Sequence, residues 1–264
     1  MTFPVYLSLF GHRLHPHLVM ELIAYTGGFQ LYRMTRSRWP RANAPFEQAL
    51  WLFVGAVFGA LVGSKVLAWI ESLPDYWPHR FDPQTWMGGK TIVGGLLGGW
   101  AGVEIAKKLV GVNHSTGDAF VFPLIFGMSV GRIGCFLTGL DDHTYGVATT
   151  LPWGVDFGDG VFRHPTQLYD IVFLTVLALA LYIYARTPRV QRSGVMFRLF
   201  LMSYLLYRVA IEMIKPVFAP YAGLSAIQLA SLYGTFVCLI QLLTGRGLKS
   251  RVLQENELPI EVTA

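Results

Sequence analysis

Apolar residues dominate seven stretches of the chain, roughly 17–33, 48–70, 92–110, 118–139, 167–185, 195–214 and 225–244. Each approaches the about 20 residues that a helix needs to cross a bilayer. The pattern therefore predicts an all-α membrane protein with seven transmembrane helices. The third stretch is the least apolar: it carries Glu104, Lys107 and Lys108, and "GGLLGGWAG" (94–102) is crowded with glycine. Such a segment either lets two helices cross closely or stays broken and lines a wet cavity, and close crossing is expected here. No internal repeat is visible. The organisation expected is a single membrane domain, 1–264, with a helical core over about 15–245 and a polar tail over 246–264.

Composition strengthens this reading. Apolar and aromatic residues make up 53% and charged residues only 14%, against about 25% charged in soluble domains. Residues 1–17 hold Pro4, His12, Arg13, His15 and His17 and form no apolar signal core, so the first span is expected to direct insertion. Cys135 and Cys238 both lie in apolar stretches, and no disulfide is expected.

Charge fixes an expected orientation through the excess of Lys and Arg on cytoplasmic loops. Arg33, Arg36, Arg38 and Arg41 follow span one, and Lys107 and Lys108 end span three. Arg186, Arg189 and Arg192 follow span five, and Arg246, Lys249 and Arg251 lie in the tail. All fall on one side. The opposite loops hold Arg13, Arg80, Lys90, Arg163 and Lys215 against seven acids, Glu71, Asp75, Asp82, Asp141, Asp142, Asp156 and Asp159. The N-terminus is expected outside and the C-terminus in the cytoplasm. The basic balance then reflects topology and anionic lipid, with no nucleic-acid partner.

Four ionisable residues share one expected depth. Lys65, Arg132, Arg208 and Glu21 each fall four to seven residues from the outer end of their spans, which at about 1.5 Å per residue is about 10 Å deep. Long cationic side chains there either snorkel to the headgroups or face a polar cavity. Gly127, Gly131 and Gly134 thin the helix around Arg132, which suits close packing. Tyr204, Arg208, Glu212 and Lys215 fall at i, i+4, i+8 and i+11, one polar stripe on span six, while Arg208 and Glu212 are also placed to pair with each other. Guanidinium groups engage phosphate through a planar fork and keep their charge at every relevant pH. Arg132 and Arg208 are therefore expected to clamp the headgroup of an anionic phospholipid.

Three motifs read together: "GRIGCFLTG" (131–139), "YGVATTLPWGVDF" (145–157) and "RHPTQLYD" (163–170). With "GGKTIVGGLLGG" (88–99) and "YRVAIEMIKP" (207–216), they resemble the bacterial prolipoprotein diacylglyceryl transferase family over most of residues 15–245. That resemblance implies seven spans in the bacterial plasma membrane and transfer of diacylglyceryl from phosphatidylglycerol to the lipobox cysteine thiol of a prolipoprotein. It implies phosphate binding by Arg132 and Arg208, the paired acid Glu212 and a role for Tyr204; Lys65, Gln167 and Tyr169 are expected as further substrate contacts. The chain departs from the family pattern where a histidine becomes Val93 and two asparagines become Cys135 and Thr138. Those departures leave open a different acceptor, or a protein that binds or moves lipid without catalysis.

A thiol acceptor needs help to ionise, because its ordinary pKa is about 8.5. His164 is one candidate base. His17 and Glu21, at i and i+4 on span one, are another, with Glu21 orienting the imidazole or else neutralised by Lys65 or an arginine. His15, His17 and Glu21 suggest a metal site, but Pro16 leaves only His17 and Glu21 on one helical face, and neither His143 nor His164 is fixed as a third ligand. No metal and no cofactor is expected. Cys135 reads as a small core residue rather than a nucleophile.

Overall fold

The computed structural model describes residues 3–9, 12–38, 44–82, 85, 88–187, 193–216 and 219–245. Arg41, Arg189, Arg192 and the tail 246–264, which bear on the expected orientation, lie outside the described residues.

Seven long helices are present: α1 (Pro16–Thr35), α2 (Phe46–Glu71), α3 (Ile92–Val110), α4 (Val121–Thr138), α5 (Thr166–Arg186), α6 (Val195–Glu212) and α7 (Ala226–Thr244). Their ends fall within three residues of the apolar stretches. By length and composition α2, the stretch Gly117–Asp142 around α4, α5 and α7 are able to cross a membrane. The other three carry the polar load: His17 and Glu21 on α1, Glu104, Lys107 and Lys108 on α3, and Arg198, Arg208 and Glu212 on α6. Two short antiparallel hairpins complete the chain, β1 (Leu7–Leu9) with β2 (His12–Leu14), and β3 (Val155–Asp156) with β4 (Phe162–Arg163).

Helix α6 forms the centre. Met196, Phe200, Leu201, Tyr204 and Leu205 are buried against Leu174, Leu177 and Leu181 of α5, Val121 and Ile125 of α4, and Val93 of α3. Its start is anchored by Asp118, whose carboxylate accepts the backbone N–H groups of Gly194 at 2.5 Å and Phe197 at 2.9 Å. A negative charge there complements the helix dipole. The start of α7 carries a capping box of Ser225 and Gln228, and Glu71 accepts the Ile227 N–H at 2.9 Å. The outward face of α2 is apolar, with Phe53, Phe58 and Leu61 exposed, as a helix surrounded by lipid requires.

Glycine joins α2 to α3. Gly55 meets Gly102, Gly59 meets Gly98 and Gly63 meets Gly94, so closely that a Cβ on any of the six would sit 2.1–2.6 Å from a facing carbonyl oxygen. The "GGLLGGWAG" segment is therefore a packing surface, as expected. Around Arg132 the glycines act differently. A Cβ on Gly134 would press on Met20 and His17 of α1 at 3.0–3.3 Å, whereas one on Gly131 would meet nothing within 4 Å. Gly134 brings α1 tight against α4 beside Arg132, and Gly27 of α1 does so further along, where a Cβ would sit 2.5 Å from the Phe126 ring.

The 140–166 connection lies over this end of the bundle. Gly146 N–H donates to the His164 carbonyl, and Val147 N–H donates to the Ile214 carbonyl at 2.8 Å. Phe157 is buried against Phe3, Phe136 and Tyr145.

Candidate active site

Helices α4, α5 and α6 bring their ionisable residues to one buried point. Arg132 Nε is paired with Asp170 Oδ2, and Arg208 Nη1 stands 3.8 Å from the same oxygen. Arg208 Nη2 pairs with Glu212 Oε1, and Lys215 Nζ lies 3.7 Å from that oxygen. Arg132, Asp170, Arg208 and Glu212 are each at most 5% exposed. The two arginines thus meet, with Asp170 between them. The polar stripe of α6 satisfies both expectations: Arg208 pairs with Glu212 and also faces the shared cluster.

Such a cluster is costly unless its groups are mutually satisfied, and here satisfaction is partial. Tyr204 and Tyr207 set their hydroxyls beside Arg132 and Asp170 respectively, yet neither makes a hydrogen bond of normal geometry among the described residues. Both amide atoms of Gln167 and the Nε of Arg208 are likewise buried without a partner there. Buried polar groups are ordinarily paired. Here unpartnered hydroxyl, amide and guanidinium groups crowd around two arginines and their two carboxylates. Burial, then the neighbouring guanidinium charges, push Lys215 well below the ordinary ammonium range.

Asp170 is the member of this cluster that sequence reasoning missed. It closes the quoted "RHPTQLYD" run, and a carboxylate inside an apolar span is a signal in its own right.

A second group of polar residues adjoins the first through Arg132, whose Nη1 donates to Cys135 Sγ at 3.9 Å. The Cys135 sulfur, an imidazole nitrogen of His17 and a carboxylate oxygen of Asp142 lie within 4.8 Å of one another. His17 Nε2 is 3.3 Å from Glu21 Oε1, and its Nδ1 is 3.7 Å from Asp142 Oδ1. Glu21 orients His17, and the cation it meets is Lys90 at 2.9 Å. A cleft of about 430 Å³ opens here, lined by His15, His17, Glu21, Thr138, Asp141 and Asp142. Hydrogen bonding to Glu21 raises Lys90 above its usual range.

The remaining expected residues have other surroundings. His164 Nδ1 lies 3.1 Å from the Tyr169 hydroxyl, which accepts the Trp153 indole N–H at 2.8 Å. Lys65 donates to the Gly88 carbonyl at 3.0 Å, tying α2 to the segment before α3. Val93, where the resembling family carries histidine, is buried in the apolar core.

Residues 4–244 match the family model described as prolipoprotein diacylglyceryl transferase. The chain is 32% identical over 221 residues to a phosphatidylglycerol–prolipoprotein diacylglyceryl transferase of Solidesulfovibrio magneticus, covering 80% of this chain and 81% of that one. It is 30% identical over 261 residues to the protein of the same name from Azotobacter vinelandii, covering 93% and 92%. For the one from Cupriavidus necator the identity is 33% over 201 residues, with 74% and 71% covered. The whole helical bundle, with the arginine cluster at its centre, belongs to the prolipoprotein diacylglyceryl transferase family.

Proposed function

We propose that this chain is a seven-span transferase of the bacterial plasma membrane, with the N-terminus outside. It moves diacylglyceryl from phosphatidylglycerol to the lipobox cysteine thiol of a prolipoprotein. The observation that carries the reading is the meeting of Arg132 and Arg208 at Asp170, with unused donors around them.

A phosphodiester headgroup brings one negative charge and unesterified oxygens to that point. Arg132 and Arg208 bind them, Tyr204 and Gln167 offer further hydrogen bonds, and Glu212 fixes the Arg208 fork. As the acceptor sulfur attacks the terminal glycerol carbon, the bond from that carbon to the phosphate oxygen breaks. Negative charge grows on the leaving glycerol phosphate, where preorganised cations stabilise it most. His17, oriented by Glu21, lines the cleft that receives the acceptor thiol; Tyr169, which His164 positions, and Lys65 are further substrate contacts in this reading.

The replacements at Val93 and Cys135 favour a second reading, in which the acceptor is not a prolipoprotein. Purified protein incubated with labelled phosphatidylglycerol and a lipobox peptide separates the two. Thioether product supports the first, and glycerol phosphate released without thioether supports the second. Neither product, with headgroup binding retained, overturns both in favour of a lipid-binding protein.

A further inference from the structure

We infer that His17, Cys135 and Asp142 form a zinc site with its fourth position open to the cleft, where the acceptor thiol binds. The inference rests on the transferase reading for the identity of the fourth ligand, and on geometry alone for the three protein ligands.

The donor set fits the ion. Thiolate, imidazole and carboxylate are the ligand types of tetrahedral zinc, and three protein ligands with one open position is the pattern of catalytic rather than structural sites. Bond lengths of about 2.0–2.3 Å put tetrahedral ligand atoms about 3.3–3.7 Å apart. His17 Nδ1 and Asp142 Oδ1 are already 3.7 Å apart, and all three donor atoms lie within 4.8 Å. Small side-chain rotations close the rest.

Each ligand is also supported from behind, as metal ligands generally are. Glu21 faces His17 Nε2, which fixes the proton there and leaves the Nδ1 lone pair directed inward. That Nδ1 is buried and has no hydrogen-bond partner among the described residues. Lys90 holds Glu21 in place. Thr144 donates to Asp142 Oδ2 at 2.5 Å, leaving Oδ1 toward His17. The Arg132 guanidinium lies beside Cys135 Sγ, its Nη1 donating to the sulfur at 3.9 Å.

The site also answers a chemical need. With Val93 in the apolar core, the imidazole that the family pattern places there is missing, and Cys135 supplies a new soft ligand one helical turn beyond Arg132. An acceptor thiol taking the fourth position releases its proton to water in the cleft and remains nucleophilic at neutral pH. Its sulfur then forms the C–S bond as the C–O bond to phosphate breaks, and the electron pair departs on glycerol phosphate. Arg132 touches both the thiolate ligand and the phosphate clamp, so the two halves of the reaction meet at one side chain.

The test is metal content of the purified full chain after incubation with zinc chloride and removal of loose metal. About one zinc per chain is expected, and cobalt(II) in its place should give a thiolate-to-metal charge-transfer absorption. Cys135→Ser should abolish that absorption and the bound zinc, and Glu21→Gln, which keeps every ligand, should weaken zinc binding by about 10- to 100-fold. Unfolding of the metal-free proteins checks that the variants fold, and Glu21→Gln carries the test if Cys135→Ser does not. Absence of zinc from the wild type, or an unchanged cobalt spectrum in Cys135→Ser, overturns the site. Thioether formation by chelator-treated, metal-free protein overturns the site and leaves the transferase intact. Zinc bound without any product from phosphatidylglycerol and lipobox peptide keeps the site and overturns the transferase.

Discussion

Asp170 on α5 is buried against the Nε of Arg132 on α4, and the same carboxylate oxygen lies 3.8 Å from Arg208 on α6. One acid therefore joins three helices and holds two cations beside a single carboxylate oxygen. Removing one partner of a buried pair leaves an uncompensated charge, at a cost of about 3–5 kcal/mol. Asp170→Asn should show a loss of that size in thermal or denaturant unfolding in detergent. The double variant Arg132→Met/Asp170→Leu, which removes both charges, should recover most of the loss while remaining inactive.

Arg208 keeps its positive charge as lysine but loses the planar fork that engages Glu212 and a phosphate together. Arg208→Lys should lower the rate of glycerol phosphate release by about 100- to 1000-fold, the usual effect of removing one preorganised donor. Unfolding should change far less than the rate does.

The glycine contacts between α2 and α3 predict a sharp positional contrast. A methyl group on Gly98 would sit 2.2 Å from the Gly59 carbonyl oxygen, while one on Gly95 would sit 3.8 Å from its nearest neighbour. Gly98→Ala should destabilise by about 1–3 kcal/mol. Gly95→Ala should be neutral or stabilising, since alanine is the better helix former by up to about 1 kcal/mol. Melting temperatures of the two variants in one detergent check both halves.

Lys215 makes anion binding depend on pH. Burial and the arginines disfavour its ammonium form, so its pKa is depressed, and a bound phosphate would raise it. Headgroup binding therefore takes up a proton. Affinity for a short-chain phosphatidylglycerol should be full below the depressed pKa and should fall as pH rises toward the bound-state value. Lys215→Met should bind more weakly and lose that dependence. Calorimetric titration across the alkaline range measures it.

The helices were legible because each apolar run is long and bounded by charge or proline. Arg132, Arg208 and Glu212 were legible because a charge in an apolar helix marks itself. What the chain did not disclose is partnership across helices. Asp170 lies in a quoted motif, yet only packing of α5 between α4 and α6 shows that it is the arginines' counter-ion. Glu21 was expected to orient His17 and does, but its cation is Lys90 rather than Lys65, because the segment before α3 returns toward α1. Cys135 read as filler in one dimension. Its neighbours His17 and Asp142 come from α1 and from the turn after α4, and the Gly134 contact that admits His17 has no counterpart in local sequence.

Backbone pressed on backbone at three successive levels leaves α2 and α3 little freedom to slide or roll, so they act as a fixed keel for the bundle. A two-tailed donor that enters sideways from the bilayer has to part other helices. Any helix movement that admits such a molecule is therefore to be sought away from the glycine seam, among the helices that carry the ionisable groups.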